Sequence, residues 1–175
     1  LTHQSFFNLN GAGSGTINNH LLQINASKFT PIDEGLIPTG ELRSVAESPF
    51  DFRKTKSIGK DVDQTTEQLK YGLGYDHNFV LDGAGLQTVA AATGDISGIM
   101  MEVKTDEPGL QFYGGNFLDG KAVGKHGLSY DYRAAFCLET QHFPNSPNQP
   151  NFPSTILNPG EVYTSICIYK FSTNP

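Results

Sequence analysis

Val162-Tyr163-Thr164-Ser165-Ile166-Cys167-Ile168-Tyr169-Lys170-Phe171 alternates with a period of two. Successive side chains of an extended backbone point to opposite faces. Tyr163, Ser165, Cys167, Tyr169 and Phe171 therefore share one face, and Val162, Thr164, Ile166, Ile168 and Lys170 the other. Both faces are largely apolar, which predicts a central strand covered on both sides. Similar short runs lie upstream: Leu21 to Ala26, Asn78 to Leu81, Thr88 to Ala92, Gly98 to Thr105, Gly109 to Tyr113 and Tyr132 to Gln141. The 19 glycines and 10 prolines punctuate them. Many short strands between turn residues predict an all-β fold, a sandwich or barrel.

Helical periodicity is nearly absent, and only Asp61 to Leu69 predicts a turn or two of helix. Asn10 to Asn19 is a loop by composition. So is Phe143 to Pro153, where Pro144, Pro147, Pro150 and Pro153 forbid a continuous ladder. Loops that leave strand ends in this way often carry binding residues. There is no internal repeat, linker or low-complexity tail, so residues 1–175 are expected to form a single domain with a core of its own.

The net charge is −6 and Lys and Arg are not clustered. That argues against nucleic acid and against an anionic membrane surface as partners. A small neutral ligand fits better. No apolar run reaches the ~20 residues of a membrane helix. Leu1-Thr2-His3-Gln4-Ser5 has neither the charged nor the apolar region of a signal peptide. It reads as the middle of a strand, so further sequence upstream is expected. A cytoplasmic location is the expectation in the absence of a visible signal. Cys137 and Cys167 lie in apolar runs, too few for a disulfide scaffold and without metal-ligand spacing. Buried thiols are expected, with a bridge between neighbouring strands as the alternative.

Four segments could carry chemistry: Leu1 to Leu9, Gly74-Tyr75-Asp76-His77-Asn78-Phe79, Glu107 to Asn116, and Cys137-Leu138-Glu139-Thr140-Gln141-His142-Phe143-Pro144. Glu139 stands in an otherwise apolar run that starts at Ala134. A carboxylate there is either paired, with Arg133 or a backbone donor, or functional, because an unpaired buried charge is costly. Desolvation would lift its pKa towards neutrality, where it could act as a base. Asp76 and His77 are adjacent, so in a strand they point to opposite faces and cannot easily serve one site. Gln111, between apolar neighbours, offers a hydroxyl both a donor and an acceptor. His20, His126 and His142 fall in no arrangement of use and read as structural or surface residues. HxxxH, CxxC, GxGxxG and GxSxG motifs are missing, which argues against metal, dinucleotide and serine-hydrolase chemistry. Asn25-Ala26-Ser27 matches a glycosylation triplet, a pattern frequent by chance.

Taken in order, these segments resemble the galactose mutarotase (aldose 1-epimerase) family. The runs Ile37-Pro38-Thr39-Gly40, Pro49-Phe50-Asp51-Phe52-Arg53 and Pro159-Gly160-Glu161-Val162-Tyr163 extend the likeness over the whole chain. The resemblance implies the C-terminal half of a large antiparallel β-sandwich. It implies interconversion of the α and β anomers of hexoses such as galactose and glucose, with no cofactor. A glutamate takes the anomeric hydroxyl proton and a histidine protonates the ring oxygen. The ring opens, C1–C2 rotates and the ring recloses. The base matches Glu139, while Asp76 and Gln111 match positions that bind sugar hydroxyls. The family's acid motif, Leu-Thr-Asn-His-Ser-Tyr-Phe-Asn-Leu, sets its catalytic His on Gln4 and its Asn on His3. Gln4 can hydrogen-bond the ring oxygen but cannot transfer a proton near neutral pH. His3 would point to the opposite face. The family's N-terminal half supplies a further His and an Arg that have no counterpart in this sequence. The chain alone is thus expected to be a weak or inactive mutarotase that still binds hexose. The alternative is a non-catalytic carbohydrate-binding or structural β-sandwich domain. Half a sandwich exposes edges, so self-association or pairing with an N-terminal half is expected.

Overall fold

A computed structural model describes residues 1–173. Ten strands build two antiparallel sheets of five. In chain order they are β1 (Leu21–Ile24), β2 (Ala26–Thr30), β3 (Arg43–Ser44), β4 (Lys56–Ser57), β5 (Asp76–Leu81), β6 (Gln87–Thr93), β7 (Ile99–Thr105), β8 (Gly109–Tyr113), β9 (Cys137–Gln141) and β10 (Cys167–Thr173). The first sheet has the order β10-β7-β6-β1-β4 and the second β3-β2-β5-β8-β9. The chain passes between sheets at Asn25, whose N–H donates to the Val89 carbonyl and whose carbonyl accepts from Asp82 N–H. What reads as one strand, Leu21 to Ala26, is therefore broken at Asn25 between β1 and β2.

The inward faces meet in one apolar core, with Leu22, Ile24, Met101 and Val103 from the first sheet and Phe29, Phe79, Leu110, Phe112 and Leu138 from the second. Each such side chain contributes about 1.5–3 kcal/mol by leaving water. Aromatic rings concentrate there: Phe29 stacks on Phe50 at 4.3 Å, and Tyr75 on Phe112 at 5.2 Å. Because Phe79, Leu110, Phe112 and Leu138 point inward, strand parity turns Asp76, Asn78, Gln111, Tyr113, Cys137, Glu139 and Gln141 to the opposite face of the second sheet.

Three sequence expectations are corrected. The segment Tyr132 to Gln141 is a strand only from Cys137, because Arg133 takes a left-handed φ of 55° that no strand accommodates. The helix, α1 (Glu67–Tyr71), lies later than Asp61 to Leu69. Its cap is Thr66, whose hydroxyl accepts from Leu69 N–H, and Gly72 ends it. The segment Val162 to Phe171 is not a central strand. Only Cys167 onward pairs, with β7, and the strand lies at a sheet edge. Cys167 and Tyr169 pack on the core while Ile166 and Ile168 of the opposite face are exposed, so the period of two is real but that face lacks cover; Phe171, on the core-facing side, is itself exposed near the strand's end. The start of the chain is extended yet unpaired except at Phe7, which bridges Phe136. Cys137 and Cys167 are both free thiols, the first buried and the second half-buried.

Candidate active site

Strands β5, β8 and β9 lie side by side, and their register assembles the site. Gln111 on β8 stands opposite both Asn78 on β5 and Glu139 on β9. One step along, Asp76, Tyr113 and Cys137 form the next row. Neighbouring strands are about 4.8 Å apart, so Glu139 and Asn78 flank Gln111 from opposite sides across about 10 Å, and Asp76 lies diagonally, one row along from Asn78. Asp76 Oδ1 accepts a hydrogen bond from Gln111 Nε2 at 2.8 Å.

Glu139 is 6% exposed. Burial pushes its pKa up to about 7, with the Asp76 charge adding to the rise. No hydrogen bond offsets these two effects. The pairing with Arg133 left open by the sequence does not form, since Arg133 Nη1 donates to Asp63 at 3.1 Å. Asp76 is also raised by burial, opposed by the bond from Gln111. Burial and the nearby Glu139 and Asp76 charges keep the Cys137 thiol protonated. The arrangement thus offers one proton acceptor poised near neutrality and one acidic hydrogen-bond acceptor, the latter bonded to the Gln111 amide on the strand between them.

An aromatic wall closes the Tyr113 end of this face. Tyr113 stacks with Phe117 at 6.1 Å and meets Phe6 edge-on at 6.1 Å. Its hydroxyl accepts from Phe117 N–H at 2.9 Å. Apolar rings beside hydroxyl-binding groups suit the mixed surface of a sugar.

The N-terminal segment runs antiparallel to β9. Phe7 pairs with Phe136, and the Thr2 hydroxyl donates to the Thr140 carbonyl. Gln4, three residues before Phe7, is exposed and makes no backbone pair with β9. Phe6, two residues on, touches Tyr113 on the site face. His3 and Phe7, of the other parity, contact Tyr169 from the first sheet. His77 turns into the core among Phe29 and Phe50, away from Asp76. Its pKa falls to about 3 through burial. The other histidines are accounted for outside the site. His20 Nε2 accepts from Leu9 N–H, His126 is exposed, and His142 Nδ1 lies 2.7 Å from Glu107.

Sequence reasoning passed over Asn78, Cys137 and Gln141 as members of this face, and of the aromatic pair after Gln111 only Tyr113 lies on it, Phe112 being in the core. The signal was available: each of the missed residues lies an even number of residues from Asp76 or Glu139 on the same strand.

The aldose 1-epimerase family model matches residues 1–170. Galactose mutarotase of Bos taurus is 46% identical over 173 residues, covering 98% of this chain and 49% of that protein. Aldose 1-epimerase of Escherichia coli K12 is 39% identical over 175 residues, covering 98% and 50%. Among solved structures, an aldose epimerase homologue from C. elegans superimposes with a TM-score of 0.87 at 32% identity, covering 98% of this chain and 50% of that one. Galactose 1-epimerase from Lactobacillus acidophilus gives 0.75 at 28% identity. The chain spans about half the length of the relatives it matches. With the family model matched over nearly its whole length, the chain belongs to the aldose 1-epimerase family.

Proposed function

We propose that this chain is the base-bearing half of an aldose 1-epimerase, that it binds a hexose such as galactose on the face of β5, β8 and β9, and that alone it turns the sugar over weakly. One observation carries the reading. Glu139 is buried on that face with a pKa raised to about 7, beside an Asp76–Gln111 pair suited to sugar hydroxyls.

Glu139 Oε takes the proton from the anomeric hydroxyl as the C1–O5 bond breaks. The ring oxygen must gain a proton in the same process. The open-chain aldehyde rotates about C1–C2, and return of the two protons recloses the ring with either configuration. A base and an acid each contribute about 10²–10⁴-fold. Gln4 stands at the acid's place and offers a hydrogen bond without a transferable proton. The base is thus provided for and the acid is not. Asp76 accepts from one sugar hydroxyl, Gln111 donates to another, and Phe6, Tyr113 and Phe117 cover the apolar face of the ring.

Polarimetry of freshly dissolved α-galactose tests this. The unmodified chain should speed relaxation only slightly, Glu139→Gln should remove the increment, and Gln4→His should raise the rate at least about a hundred-fold, the low side of an acid's contribution. A full enzymatic rate from the unmodified chain would refute the role given to Gln4. Undiminished relaxation with Glu139→Gln would refute the base. Gln4 also favours a second reading, a carbohydrate-binding domain without turnover. Galactose binding with no rate increment, unchanged by Gln4→His, would select it.

A further inference from the structure

Beyond the residues that face the sugar, a run of amides on the same sheet has one self-consistent arrangement of donors and acceptors. Gln111 Nε2 donates to Asp76 Oδ1 at 2.8 Å. Gln111 Oε1 accepts from Gln141 Nε2 at 3.4 Å, and the same Gln141 nitrogen donates to Asn78 Oδ1 at 3.3 Å. Asn78 and Gln141 are 2% and 8% exposed. An ionised carboxylate can only accept. Gln111 must therefore turn its NH2 to Asp76, which leaves its oxygen facing Gln141. Gln141 must then turn its own NH2 inward, and both of its protons find an oxygen. Asp76, through its charge, fixes the sense of every amide as far as Asn78.

The far end shows what Asn78 is for. Its Nδ2 is buried with no hydrogen-bond partner. The Asn78 amide is thus placed to receive Gln141 rather than to satisfy itself. Gly109, paired with both Val80 and Gln141, makes the room: a Cβ there would lie 2.5 Å from Asn78 Oδ1 and 3.0 Å from the Gln141 carbonyl.

We infer that Gln141 and Asn78 are positioning residues of the hexose site, holding the Gln111 amide in the one orientation that offers a hydroxyl a donor beside the Asp76 acceptor. The inference rests on the hexose reading of this face. Without Gln141, the Gln111 oxygen loses its donor and the amide is held only at its Asp76 end. It can then swing about that bond, and its second N–H is no longer aimed at a hydroxyl beside Asp76.

The test uses the 175-residue chain labelled with 15N, read by side-chain amide NMR and by titration with D-galactose. The Gln111 and Gln141 NH2 signals should be dispersed and should shift together as Asp76 titrates. Gln141→Leu should weaken galactose binding at least ten-fold and collapse the Gln111 NH2 dispersion. Gln141→Glu should bind poorly at pH 8 and recover towards pH 5, where a protonated carboxyl regains a donor. A merely structural role would give no such recovery. Unchanged galactose affinity in Gln141→Leu, an unchanged Gln111 signal, or a loss in Gln141→Glu that does not respond to pH would each overturn the inference. If the unmodified chain fails to bind D-galactose, the hexose reading falls and the positioning role with it, while the amide signals still report whether the array exists.

Discussion

Two buried titratable residues pull the stability of this chain in opposite directions with pH. Glu139 has a folded pKa of about 7 against an ordinary 4.5. The folded state holds that proton more tightly, so the associated stability is complete below pH 4.5 and is lost as pH rises through 7. His77 is the reverse, with a folded pKa of about 3 against 6.5. The unfolded state takes up that proton first, so stability is lost as pH falls from 6.5 towards 3. Each slope is about 1.4 kcal/mol per pH unit. Between pH 4.5 and 6.5 they largely cancel. Glu139→Gln should remove one arm, stabilising the chain at pH 8 by about 3 kcal/mol and leaving it unchanged at pH 4. Urea unfolding at the two pH values checks this. Equal stability of variant and parent at pH 8 would mean that Glu139 carries its charge without penalty. His77→Phe should flatten the acid side instead. It also removes a ring whose Nε2 is buried with no hydrogen-bond partner.

At the scale of elements, the strands of the site show what alternation can and cannot reveal. The span Gly109 to Tyr113 was readable to the residue, because Leu110 and Phe112 alternate with polar or small neighbours and glycine marks its start. Glu139 stood out as a charge in an apolar run, and strand parity separated Asp76 from His77 correctly. Less was legible where tertiary contacts decide. The two-residue strands β3 and β4 have no periodicity to detect. The break at Arg133 depends on a single left-handed residue. β10 looked buried because apolar residues occupy both of its faces, yet alternation reports only that faces differ or agree, never what covers them. Gly109 offers a test of how tightly β5, β8 and β9 are packed. Its φ is not in the left-handed region, so the cost of Gly109→Ala is steric alone. The new Cβ would stand 2.5 Å from Asn78 Oδ1 and 2.9 Å from a carbon of the Phe143 ring. Overpacking of this kind costs about 1–3 kcal/mol. The urea midpoint should fall with its slope unchanged, and an unaffected midpoint would show that the Asn78 and Phe143 side chains yield freely.

The molecule as a whole carries an open seam. β10 pairs with β7 on one side only, and along its free side Ile168 and Phe171 are exposed. The preceding segment adds exposed Ile156, Leu157, Val162 and Ile166 nearby in sequence. An apolar edge strand with no proline and little charge to blunt it is a template for another strand. Lys170 is its one basic residue, and Glu102 of β7 engages it at 2.8 Å. The relatives that match this chain are about twice its length, so the proposed occupant of this edge in the family fold is another strand-bearing segment. In its absence a second copy of the chain should take that place. Light scattering after size exclusion should therefore give a mass above that of one chain, rising with concentration. Ile168→Lys puts a charge on the exposed face of the edge and should return the species to a monomer, with little loss of stability because Ile168 lies outside the core. A strictly monomeric parent at high concentration would show that the β10 edge does not take another strand despite its exposed apolar residues.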